Sequence, residues 1–183
     1  MTAILTDTSQ TALWVDLVHE AETGAATRLD EELESYLVFL LIAHLRDVHL
    51  HHHAMAIDFL LARAESGARR RQELRDVGDR CLLLAGLYPE QAEKRRVSLG
   101  YFLDLGSRSY DELSHALRAG VADLYGRLAA GFARLVRVLI EMRSRMREVG
   151  PLLLHEIAMD GSAGGADPHF PGAVLIGGND TRQ

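Results

Sequence analysis

The stretch that decides the fold runs from Val121 to Val149, VADLYGRLAAGFARLVRVLIEMRSRMREV. Within it Tyr125, Leu128, Phe132, Leu135, Leu139, Met142, Met146 and Val149 recur at alternating spacings of 3 and 4 residues. That recurrence marks one long helix whose apolar seam faces a partner. The partner is either another helix of the same chain or a second copy of it. A homo-oligomer joined along Leu128, Phe132, Leu135 and Leu139 is therefore one expectation. Ala122, Gly126 and Ala130 lie four apart on a neighbouring face, where small side chains suit close helix approach.

Upstream the pattern stays helical. A first helix is predicted from Thr8 or Ser9, either a plausible N-cap, to about Glu22, with Gly24 ending it. A second begins near Asp30, with Glu31, Glu32 and Glu34 in its opening turns, where negative charge suits the helix dipole. It then turns apolar nearly all round (Tyr36 to Ile42), as expected of a central helix. A third, Ala54 to Ala64, places Met55, Phe59 and Ala62 on one face, with Ile57, Leu60 and Leu61 widening it. A fourth, Ala68 to Leu87, is charged in its first half and apolar in its second. Pro89-Glu90 opens a short turn, and a further helix runs from Ser98 towards a break at Gly120.

Composition agrees. The 183 residues include 30 Leu and 23 Ala against 24 Val, Ile and Thr together, which favours helix over strand. Residues 150–183 hold seven of the 16 glycines and three of the four prolines. The expectation is an all-α, single-domain bundle of six or seven helices over 8–159, followed by a flexible Gly/Pro-rich tail over 160–183. The apolar segment Gly172 to Gly177 makes that tail a candidate for docking on a protein partner.

Several classes of function are disfavoured. One cysteine, Cys81, permits no intrachain disulfide and suits a reducing compartment. The first ten residues lack a basic segment followed by an apolar one, and no apolar run approaches a membrane span. A cytoplasmic protein with no membrane partner is expected. A formal net charge of −6 argues against nucleic acid as a partner. The commonest phosphate, dinucleotide and acyl-transfer motifs do not occur, and the residues imply no particular cofactor.

Four constellations remain. His49 and His53, within the run His44 to His53, share a helical face at i, i+4 and suit a transition metal, although the run falls where the second helix should end and a solvated turn is the reading favoured there. Glu112 and His115 form an E-x-x-H pair of the type used by di-iron bundles. Those bundles use two pairs, whereas this chain has one, so carboxylates such as Glu34, Glu73 or Asp79 would have to complete the set. Asp79 and Asp104 sit in apolar contexts and call for partners, among them Arg80, Arg108, Tyr101 and Tyr110. Asp79, Tyr101, Asp104 and Tyr110 are thus a candidate ligand pocket, or else a buried network fixing helix register.

Residues 78–90, GDRCLLLAGLYPE, and 97–110, VSLGYFLDLGSRSY, resemble a family of uncharacterised proteobacterial helical proteins. That family carries a G-D-x-x-L-x-x-x-G-[FY]-[FY]-P-E core, and this chain has Leu87 at an aromatic position. The resemblance spans roughly residues 34–128. It implies a bacterial, cytoplasmic, all-helical protein with Asp79, Pro89, Tyr101 and Tyr110 in its signature, and it carries over no catalytic residue. The reading favoured by the residues is a non-enzymatic binding or scaffold protein acting as an oligomer. A helical metalloenzyme and a small-ligand-binding protein are the alternatives.

Overall fold

The structure, a computed structural model, describes residues 3–44, 55–89 and 97–149, with side chains over 11–44, 55–89 and 97–147. Six helices account for nearly all of them: α1 (Ala3–Gly24), α2 (Glu31–His44), α3 (Met55–Ala64), α4 (Gly67–Gly86), α5 (Leu99–His115) and α6 (Ala119–Val149). The chain is an all-α, single-domain bundle. No described helix is long and apolar enough to cross a membrane. His49 to His53, the expected turn from Glu90 onward and everything after Val149 lie outside the described residues, including the expected tail.

Local chemistry sets several boundaries. Asp30 caps α2 by accepting the Leu33 N–H at 3.1 Å, with Glu31, Glu32 and Glu34 in the first turn as expected. Ser98 caps α5 by accepting the Tyr101 N–H at 3.2 Å. Two expected boundaries move. The helix α1 starts at Ala3, so neither Thr8 nor Ser9 is its N-cap; nothing in 3–9 is a glycine or proline that would forbid the extra turns. The break after α5 comes at Ala116 to Arg118, and Gly120 lies inside α6, whose first turn is closed by the Ala122 N–H on the Arg118 carbonyl.

The centre is also displaced from expectation. The apolar second half of α4 is the part enclosed on every side: Cys81, Leu82, Leu83, Leu84, Ala85 and Gly86 are all buried. It packs between α5 and α6, with α3 on a further side. By contrast α2 packs on α1 and α6 and turns Phe39 outward, 67% exposed. Its all-round apolar character therefore does not make it the core helix.

The seam of α6 is used within the chain. Tyr125, Leu128, Phe132, Leu135, Leu139 and Met142 are all buried in the core. Leu128, Phe132, Leu135 and Leu139 are buried within one chain, Phe132 against Gly106 of α5 and Leu139 against Gly86 of α4, so the expectation that they join two copies is corrected. Ala122 to Ala130 is not a close-approach face either, since Gly126 has open space around it and Ala130 is exposed.

Close approach occurs instead at three other glycines. A Cβ on Gly78 would lie 2.4 Å from the Tyr110 ring, one on Gly86 2.3 Å from Leu139, and one on Gly106 2.1 Å from the Phe132 ring. These contacts let α4, α5 and α6 nest with large side chains against bare backbone. A pair of substitutions tests the arrangement. Gly106→Ala is expected to cost about 1–3 kcal/mol through overpacking. Gly126→Ala, with nothing within 4 Å of the added Cβ, should stabilise by about 0.5–1 kcal/mol through helix propensity alone. Urea unfolding monitored by circular dichroism reads both signs.

Candidate functional site

The carboxylate of Asp79 sits where four helices meet. Its Oδ1 accepts two hydrogen bonds, from the Tyr36 hydroxyl on α2 and the Tyr110 hydroxyl on α5, each at 2.6 Å. Its Oδ2 faces the Arg75 guanidinium one helical turn away, at 3.5 Å. Tyr125 of α6 closes the group, its ring centroid 5.9 Å from Tyr36 and 5.7 Å from Tyr110. Tyr36 meets Tyr110 edge to face at 6.0 Å, a geometry that the aromatic quadrupole favours. Gly78, next to Asp79, leaves the space that the Tyr110 ring fills.

Electrostatics follow from this enclosure. Burial pushes the Asp79 carboxyl above the ordinary aspartate range, opposed by the bonds from Tyr110 and Tyr36 and by the Arg75 charge. Burial, reinforced by the Asp79 charge, holds the Tyr36 and Tyr110 phenols well above their ordinary range. These are neutral donors clamped on one acceptor, and both hydroxyls come from neighbouring helices, with Arg75 of α4 itself on the other oxygen. The network is a structural junction that fixes how the helices register.

Of the four residues expected to form a ligand pocket, Asp79 and Tyr110 meet and the other two do not join them. Asp104 is exposed, and Tyr101 packs edge-on against Phe102 at 5.2 Å. They stand six and nine residues before Tyr110 on α5, roughly 9 and 13 Å along the axis. Among the other partners considered, Arg80 pairs with Asp58 of α3 at 3.2 Å.

Glu112 and His115 do not form a metal pair. Glu112 is held by Arg63 of α3 at 2.9 Å and Arg70 of α4 at 3.2 Å, and the His115 ring contacts the Asp111 carbonyl at 2.8 Å. Arginine has taken the carboxylate that a metal would need. Glu34, suggested as a completing ligand, lies instead against His19 of α1 at 2.7 Å. His44, which opens the histidine run, contacts the Tyr88 hydroxyl at 3.0 Å. The Cys81 thiol is buried among apolar side chains and pushed up to about 12, which leaves it inert as a nucleophile.

Two features escaped the reading of the sequence. One is the outer face of α3. Met55, Phe59 and Ala62 are buried as expected, but Ile57, Leu60 and Leu61 are 59%, 61% and 61% exposed and do not widen the buried face. The other is the group His19, Glu22 and Glu34, whose ligand atoms lie within 4.8 Å of one another beside an open cleft of about 690 Å³. The H-x-x-E spacing of His19 and Glu22 was its only local signal; Glu34 comes from the next helix. Comparison with protein-family models, curated proteins and solved structures finds no match to this chain.

The raised Asp79 value has a testable sign. An acid whose folded value is raised contributes stability below its unfolded value, about 3.9 for aspartate, and loses that contribution as the pH rises through the folded value. Stability of the wild type should therefore fall with pH across that window. Asp79→Asn, still able to accept both tyrosine bonds, should flatten this dependence. Asp79→Ala, which strands two buried hydroxyls, should cost about 2–4 kcal/mol. Urea midpoints measured from acid to neutral pH distinguish the three proteins.

Proposed function

We propose that this chain is a non-enzymatic binding and scaffold protein of the bacterial cytoplasm that works as a homo-oligomer, with α3 as its contact surface. The observation that carries this reading is the exposure of Ile57, Leu60 and Leu61 at i, i+3 and i+4, one apolar stripe facing outward. Of the ten residues of α3, only Asp58 and Arg63 are charged. Asp58 is turned inward to Arg80 at 3.2 Å, and Arg63, itself 54% exposed, is engaged by Glu112 at 2.9 Å.

A second copy of the chain is the occupant that charge favours. Two molecules that each carry a net −6 repel over most of their surfaces. The uncharged stripe of Ile57, Leu60 and Leu61 lets them approach without setting like against like. With 59%, 61% and 61% of these side chains still exposed, burying the rest is worth about 3–5 kcal/mol per copy and about 6–10 kcal/mol for the pair. That is comparable with the ~4–15 kcal/mol lost on association, so a reversible dimer is expected rather than an obligate one.

Light scattering of the full chain over a dilution series tests the reading. The wild type should pass from dimer to monomer on dilution, and Leu60→Glu with Leu61→Glu should be monomeric throughout while keeping its helical circular dichroism. A wild type that stays monomeric at the highest concentration overturns the proposal. So does a dimer that survives in the Glu variant but is lost when residues 161–183 are deleted, because the contact would then belong to the tail.

A further inference from the structure

The last two turns of α1 and the first turn of α2 bring one imidazole and two carboxylates together. His19 and Glu22 lie at i, i+3 on α1, and Glu34 reaches them from α2. The His19 Nε2 is 2.7 Å from a Glu34 carboxylate oxygen, and an oxygen of Glu22 completes a triangle within 4.8 Å. The same three side chains line the open cleft of about 690 Å³, together with Thr23, Thr27 and Arg28. From these observations we infer that His19, Glu22 and Glu34 form a three-ligand site for a first-row divalent cation, Zn²⁺ before others.

The chemistry fits that ion. One imidazole nitrogen with two carboxylate oxygens is a mixed N/O set suited to zinc, and three protein ligands leave further positions for water on the cleft side. Two ligands held ~2.1 Å from an ion at tetrahedral or octahedral angles stand roughly 3–3.4 Å apart. His19 and Glu34 therefore need to separate by only a few tenths of an ångström. Glu22 is already oriented: one of its oxygens accepts the Leu29 N–H at 2.6 Å, leaving the other to coordinate. Such an outer bond fixes a ligand's direction without using its donor capacity.

The backbone around the site is pinned on both sides. The Thr27 N–H is bonded to the Glu22 carbonyl at 3.0 Å and the Ala25 N–H to the Ala21 carbonyl at 2.8 Å, so the turn from α1 into α2 holds its shape. Gly24 packs against Glu141 of α6, which anchors the end of α1. The carbonyl end of α1 adds partial negative charge next to the donors. The surface contact between His19, 54% exposed, and Glu34 is worth ~0–1 kcal/mol, and Glu22, with one oxygen on the Leu29 N–H, places a second carboxylate beside it. A bound dication would neutralise both.

The histidines from His49 to His53 would compete for zinc in such a measurement, so the test removes them first. Full-length protein with His49, His51, His52 and His53 all changed to Gln is dialysed against zinc chloride and its metal content measured, alongside its thermal midpoint. This background should retain one zinc per chain and gain thermal stability from it. Adding His19→Ala or Glu34→Gln should weaken binding at least about tenfold and abolish the thermal gain. These side chains lie at the surface, so circular dichroism should show an unchanged fold. A background that binds no zinc overturns the inference, as does zinc binding that neither His19→Ala nor Glu34→Gln weakens.

Discussion

A carboxylate taken out of water must be given donors, and the two hydroxyl donors that reach Asp79 come from other helices. Tyr36 and Tyr110, from α2 and α5, converge on one oxygen while Arg75 faces the other. A buried anion without these bonds would cost several kcal/mol, so the positions of α2 and α5 relative to α4 are tied to this one atom. The neighbouring residues follow from it. Gly78 has no side chain because the Tyr110 ring occupies the space, and Tyr125 brings α6 onto the other edge of the two rings. The bundle is thereby given a register that apolar packing alone leaves loosely specified.

Around this junction the charged surface repeats the same cross-links at lower strength. Arg127 of α6 reaches Asp30 and Glu32 at the start of α2, Arg63 and Arg70 share Glu112 of α5, and Arg145 of α6 reaches Glu20 of α1. Each exposed pair contributes little energy. Their number along α6 shows where the arginines of this chain are employed, and why the E-x-x-H pair on α5 is not available for a metal. The outer stripe of Ile57, Leu60 and Leu61 and the cleft where His19 meets Glu34 take no part in the arginine pairs named above, and the functional proposals rest there.

Much of the fold was legible because helical periodicity is local. The α6 seam, the acidic start of α2, the Ser98 cap and the buried side of α3 all follow from spacings of a few residues. The identity of the central helix did not, because α2 and the second half of α4 are both apolar all round and only packing distinguishes them. The outward stripe of α3 was missed for the same reason: Ile57, Leu60 and Leu61 look like core until the neighbouring helices are in place. The Asp79 site was half legible. The need for a partner was visible in the apolar context of Asp79, and Tyr110 was among the partners considered, but Tyr36 lies 43 residues away on another helix. Nothing in local spacing connects the two. The His19, Glu22 and Glu34 group is similar, with one i, i+3 pair readable and its third member supplied by the turn into α2.

The central claim is that two tyrosines share responsibility for one buried carboxylate, and a double-mutant cycle on Tyr36→Phe and Tyr110→Phe at neutral pH tests it most directly. Either substitution alone leaves Asp79 one hydroxyl donor, whereas the pair leaves it none. The double variant should therefore lose more stability than the sum of the single losses, with a coupling of about 0.5–3 kcal/mol. Single losses that simply add, each within about 0.5 kcal/mol of zero, would contradict the account and leave the helix register to apolar packing alone.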